Sequence, residues 1–372
     1  MKNLAPYQVF FPIGIFCSIL AVGVWFVQDL NWFSAPAIFI HSRLIVGGFI
    51  WSFIVGFLMT AIPRMTGTSG VNIYEFATAV GLIIFQIIQT WALDGRWFYG
   101  TNIAVVVFLL FYGGRRILKS VKPIPVFFSH VGLAMTLAIL GGIYHFQGNS
   151  YMGTHLYHVG TILLLVLGIG TRFFSFLSGL PSEFENASKV QHLIFHTLGI
   201  FVCGALFFSG SGHTNGYLGL FILTLIYLLF IWRVFRSSDR PSALKYGVRI
   251  VAATIPVTFL MCWLQPLLYI TWLHMLFIGC FGLITFAVAT RVTLAHGSYS
   301  TDLEMKSKAL WYVVGFLSLG VLSRVLYGFS DGLWKKSYLH LAASFWVLAV
   351  ICWCISFFVK IFKPGPQAKP SC

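Results

Sequence analysis

The chain has 372 residues, of which 58% are hydrophobic and only 9% charged, with a mean hydropathy of +0.88. An ordinary soluble domain carries about 25% charged residues, so this composition excludes a water-soluble fold. Lys and Arg number 24 against 9 Asp and Glu, yet the basic residues sit in short loops between apolar runs and form no continuous stripe, which excludes nucleic acid and points to a lipid bilayer as the partner.

A bilayer core takes about 20 apolar residues of helix. Cutting the chain at its polar and Gly/Pro breaks predicts an all-α polytopic membrane protein of about twelve spans, one integral membrane domain over 1–372. The spans fall near 7–27, 37–61, 73–93, 98–118, 125–146, 153–177, 190–209, 216–236, 246–265, 267–291, 308–329 and 337–361. Met1 to Gln8 holds one Lys, and no small-residue cleavage site follows the first apolar run, so that span is expected to be retained. The seven cysteines lie almost all inside apolar runs, and neither a disulfide framework nor a zinc knuckle is expected.

With the N-terminus inside, nineteen Lys and Arg fall on cytoplasmic segments, among them Lys2, Arg64, Arg172, Arg240, Arg291 and Lys369. Only Arg96, Lys335 and Lys336 fall outside. This bias predicts that both termini are cytoplasmic. Arg43 and Arg324 fall within spans, where a charge is uncommon enough to hint at function; snorkelling to the nearer interface is the alternative for Arg43.

Span 6 reads His155-Leu-Tyr-His158-Val-Gly160 and ends Thr171-Arg172, while span 10 reads His274-Met-Leu-Phe-Ile-Gly279 and ends Thr290-Arg291. Both fit His-x4-Gly-x10-Thr-Arg. Span 2 is a looser copy, with His41, then Gly47 and Gly48, then Arg64. These are the second members of three consecutive four-span groups, so the chain reads as three tandem four-helix units, 1–122, 123–240 and 241–372. Such an arrangement would bring the outer ends of spans 2, 6 and 10 into equivalent inward-facing positions.

Eleven histidines are many for so few charges. His41, His145, His155, His158, His274 and His340 are expected at the outer ends of spans. His130, His192, His196 and His296 are expected at the inner side. Imidazole suits both haem iron and copper, and in hydrocarbon it must find a metal or a hydrogen-bond partner. On an α-helix His155 and His158, three apart, share a face and could hold one copper ion, with His145 as a third ligand. Asp29, Glu75, Asp94, Glu183, Glu185, Asp239, Asp302, Glu304 and Asp331 all fall in loops or at span edges. A proton-coupled carrier or pump usually needs a carboxylate in a bilayer centre.

Gly56-Phe-Leu-Met-Thr-Ala-Ile-Pro-Arg-Met-Thr-Gly67 after His41 resembles the span 2 ending of NnrS proteins. Leu273-His274-Met-Leu-Phe-Ile-Gly279 through Thr290-Arg-Val-Thr-Leu-Ala-His296-Gly297 resembles their span 10 region, and Gly170-Thr-Arg-Phe-Phe-Ser-Phe-Leu-Ser-Gly179 their span 6 ending. Two places depart. The family's His-Ala-His-Glu at the start of span 2 reads Phe39-Ile40-His41-Ser42, and its Gly-His-Thr-Gly after span 10 reads Ala295-His296-Gly297-Ser298.

The resemblance implies a bacterial inner-membrane protein containing haem and copper, associated with denitrification and nitric oxide tolerance, with nitric oxide or another small diatomic as its ligand. By analogy of layout with the catalytic subunit of haem–copper oxidases, His41 and His274 are the expected haem ligands; the spacing of His155 and His158, with His145 close by, makes those three the expected copper ligands. His340, Arg43, Arg172, Arg291 and His296 are further candidates. The competing reading is a small-solute transporter or channel with a histidine-lined site and no metal.

Overall fold

The computed structural model describes residues 4–30, 32, 35–180, 187–236, 242–363 and 365–366. Lys2, Glu183, Glu185, Asp239, Arg240, Lys369 and Cys372 lie outside the described residues. The described residues form no strand. In chain order the helices are α1 (Pro6–Val27), α2 (Ala37–Thr66), α3 (Ile73–Gln89), α4 (Arg96–Leu118), α5 (Phe128–Phe146), α6 (Ser150–Leu177), α7 (Lys189–Gly210), α8 (Asn215–Trp232), α9 (Ala243–Leu264), α10 (Pro266–His296), α11 (Lys308–Gly328) and α12 (Gly332–Phe362). Eleven are long and apolar enough to cross a membrane; α3 is apolar but shorter. A short helix, Asp302–Lys306, lies between α10 and α11.

Local chemistry sets the helix ends. Asn72 and Glu75 form a reciprocal cap at the start of α3, the Glu75 amide donating to Asn72 Oδ1 at 2.9 Å and the Asn72 amide to Glu75 Oε2 at 3.0 Å. Arg116 of α4 holds the same carboxylate with both terminal nitrogens at 2.9 Å. Gly67, at φ 67°, closes α2 in the left-handed conformation that glycine adopts freely. Pro266, with no amide hydrogen to donate, separates α9 from α10.

Sequential helices pack on one another, and α1 packs on both α2 and α12, so first and last helices meet. In their most apolar windows α2 is 83% buried and α6 78% buried, which puts these two deepest in the bundle. Together with α10 they line one apolar gap, through Ile50, Phe53, Ile162, Val166, Ile284 and Val288 among others. Large apolar side chains such as Phe16, Phe111 and Ile355 face outward, as expected of helices that are apolar all round and bathed in lipid.

Three histidine-bearing helices share a local irregularity. π-Helical turns run over Leu44–Ile50 in α2, Thr154–Gly160 in α6 and Met275–Gly282 in α10. A fourth, Tyr227–Trp232, ends α8. Such turns insert a residue into the helix, re-aim the side chains around it and recur at functional sites.

Candidate cofactor site

Each of the three turns contains or closely follows a histidine: His41 precedes the first, His155 lies in the second and His274 precedes the third. His274, immediately before the π-helical turn of α10, places Nδ1 2.7 Å from the Ile270 carbonyl. His41 places Nδ1 2.8 Å from the Ala21 carbonyl of α1, with Trp25 Nε1 at 3.2 Å from the same nitrogen. The Ala21 carbonyl can only accept and the Trp25 indole N–H can only donate, so the two contacts ask opposite tautomers of His41. In His274 the carbonyl contact puts the proton on Nδ1 and leaves the lone pair on Nε2, the tautomer a metal-ligating histidine needs. His155 makes the same bond, Nδ1 to the Tyr151 carbonyl at 2.9 Å, but its Nε2 accepts from Tyr217 Oη at 2.6 Å.

His41 and His274 line one apolar chamber with room for about 80 Å³, walled by Trp25, Phe49, Phe277, Phe281 and Trp346. The chamber opens into a cleft of about 730 Å³, within the range of about 300–1,000 Å³ typical of ligand pockets. Four of the predicted histidines, His41, His145, His158 and His274, line that cleft. Arg43, Arg96 and Arg324 also line it, against a single carboxylate, Asp94. The Arg96 hydrogen bonds hold the Asp94 carboxyl below its usual range.

The structure brings His145 and His158 together, with ring centroids 5.1 Å apart and planes at 82°. Tyr99 stacks flat on His145 at 4.0 Å and 3°. His145 Nε2 and both nitrogens of His158 are buried without a hydrogen-bond partner. Each buried unsatisfied polar atom costs about 1–3 kcal/mol, so three in one place single out this pair as a candidate ligand site. His155 does not join them. Both residues lie in the π-helical turn, whose i→i+5 bonding removes the shared face that α-helical spacing predicts, and His155 is turned to Tyr217.

Of the remaining predicted residues, Arg43 lines the cleft and the others lie outside it. Arg43 reaches across to the chain after α3, donating from Nη1 to the carbonyls of Thr90 at 3.2 Å and Ala92 at 2.6 Å, where a cation complements the helix C-terminus. His340 Nε2 lies 3.1 Å from the Trp25 carbonyl. At the opposite end, Arg291 is ion-paired with Glu304 and stacks on Phe176 at 4.0 Å. There His296 contacts Arg64 at 3.5 Å, while Arg172 lines a surface pocket with Arg64 and Lys122. His130 and His196 share the Ser129 hydroxyl there, and His130 Nε2 meets Tyr227 Oη at 2.5 Å. Among the described residues no group of three or more His, Cys, Asp or Glu is placed to hold one metal ion.

The contacts of three site residues escaped the sequence. Arg324 Nη2 lies 3.3 Å from His274 Nε2, and Tyr99 and Tyr217 each pack on a histidine from another helix. Arg324 carried a signal as a charge inside a span. The two tyrosines carried none, being two of the chain's fifteen until the helices are assembled.

No curated protein matches the chain. The family model described as NnrS protein matches residues 4–364, nearly the whole length, and the chain accordingly belongs to the NnrS family of membrane proteins associated with the nitric oxide response.

Proposed function

We propose that this is a haem-binding protein of the bacterial inner membrane acting in nitric oxide tolerance, with His41 and His274 as the iron ligands. One observation carries the reading: two imidazoles from different helices, with Nδ1 at 2.8 and 2.7 Å from a backbone carbonyl, line the same apolar chamber. The donor set fits haem, and the cleft above is of ligand size. A bound haem iron would supply one-electron chemistry, and would take a diatomic such as nitric oxide only where one of the two imidazoles gave up its position. The chain's own residues exclude water with Phe49, Phe277, Phe281 and Trp346, and orient the two rings through the Ala21 and Ile270 carbonyls. Use of His274 Nε2 requires the Arg324 guanidinium to leave it.

The pair His145 and His158 is the proposed copper site, and two neutral imidazoles with three unsatisfied nitrogens suit that soft metal. Under the same proposal both termini are cytoplasmic, the histidine cleft is at the outer face, and the three π-helical turns mark equivalent points of the tandem units 1–122, 123–240 and 241–372. The test is the optical spectrum of purified protein with metal analysis. A Soret band with α and β bands on reduction is expected. A colourless, metal-free protein would contradict the proposal and favour the small-solute transporter.

A further inference from the structure

Four arginines are buried among the described residues: Arg43, Arg116, Arg291 and Arg324. Three have their charge answered. Arg43 takes two carbonyls beyond α3, Arg116 takes Glu75 and Arg291 takes Glu304. Arg324 is the exception. It is 9% exposed, its guanidinium lies 4.2 Å from the Tyr327 ring centroid, and its Nη2 lies 3.3 and 3.4 Å from the two nitrogens of His274. Its Nη1 is buried with no hydrogen-bond partner. Among the described residues no carboxylate lies within 4 Å of it, and the chamber it lines has no acidic residue. The only carboxylate of the adjoining cleft, Asp94, is bonded to Arg96 at 3.0 Å.

A guanidinium cannot shed its proton, and an unpaired buried charge is strongly unfavourable. We infer that Arg324 holds a planar two-oxygen anion, a carboxylate or a small oxyanion, where the chamber opens into the cleft. The anion takes the free Nη1 and draws the guanidinium toward itself, which releases His274 Nε2. The two sources with this chemistry are a carboxylate carried by a bound cofactor and a free oxyanion that enters through the cleft. The site stands on the charge imbalance alone and does not depend on the haem proposal.

Sodium nitrite and sodium acetate serve as probes, titrated into detergent-solubilised full-length protein in chloride-free buffer and followed by calorimetry and thermal unfolding. Arg324→Gln, Arg324→Lys and the distant Arg115→Gln are compared with the parent. Binding by the parent and Arg115→Gln, at least about tenfold weaker in Arg324→Gln, as expected for a lost charge-assisted hydrogen bond, supports a free oxyanion. A pigmented parent that ignores both probes, with haem retention reduced in Arg324→Gln and rescued in Arg324→Lys, supports a cofactor carboxylate. Without anion, Arg324→Gln is expected to be more stable than the parent, since it removes an unanswered charge. A parent that ignores both probes, with haem retention and stability unchanged in Arg324→Gln, overturns the inference.

Discussion

Gly153→Ala probes the His145 and His158 pair without removing a nitrogen. A Cβ on Gly153 would sit 2.4 Å from His145 Cδ2, 2.6 Å from Cγ and 2.8 Å from Nε2. Ordinary carbon contacts are about 3.5–4.0 Å, so the ring would have to retreat by roughly 1 Å. Tyr99 already stacks on it at 4.0 Å and 3°, which blocks that retreat. Nor can α5 and α6 readily accommodate the methyl by shifting, for a Cβ on Gly141 of α5 would fall 2.5 Å from the Tyr157 amide nitrogen of α6. The imidazole must therefore rotate away from His158, and overpacking of this kind costs about 1–3 kcal/mol. Thermal unfolding in detergent, with copper per protein and the haem spectrum measured in parallel, reads the outcome. The expected result is a destabilisation of that size, with copper reduced and the haem spectrum intact. Parental stability together with parental copper content would refute the reasoning.

Other predictions follow from the same geometry. Copper per protein should fall in His158→Ala, while His155→Ala, whose ring is occupied by Tyr217, should lose stability and keep copper; equal copper in the parent and both variants would remove the site. Burial pushes the Glu304 carboxyl from 4.5 to about 7, against the opposing pull of Arg291. The folded protein then binds more protons than the unfolded chain between those values, so this group makes stability fall, by up to about 3 kcal/mol, as pH rises from 4.5 to about 7. Thermal unfolding across that window should show a flatter profile in Glu304→Gln, and superimposable profiles would contradict the assignment. Single cysteines in 147–152, 210–215 and 330–336, on a background lacking the native thiols, should react with an impermeant reagent in intact spheroplasts. Labelling confined to 237–244 would invert the proposed topology.

The span pattern was legible because a bilayer helix writes its length directly into a run of about 20 apolar residues, and every expected span has a helix at its position. The third span ends earlier than expected, at Gln89 instead of 93, where the chain turns and Arg43 takes up the Thr90 and Ala92 carbonyls. That is a contact made 47 and 49 residues away, and no local pattern announces it. The grouping of histidines at one end was equally readable, since four of them do line one cleft. The pairing of His155 with His158 was not, because it assumed α-helical spacing where the chain makes a π-helical turn. Composition gives no warning of such a turn. The role of Arg324 depends on which charges surround it after folding, which is a property of the assembled helices.

The central claim is that His41 and His274 present Nε2 to one cofactor, and the most direct measurement is the optical spectrum of purified His41→Ala and His274→Ala proteins beside the parent. Each variant is predicted to accumulate in membranes with its haem bands lost or shifted. Parental spectra at parental haem content in both variants would contradict the account.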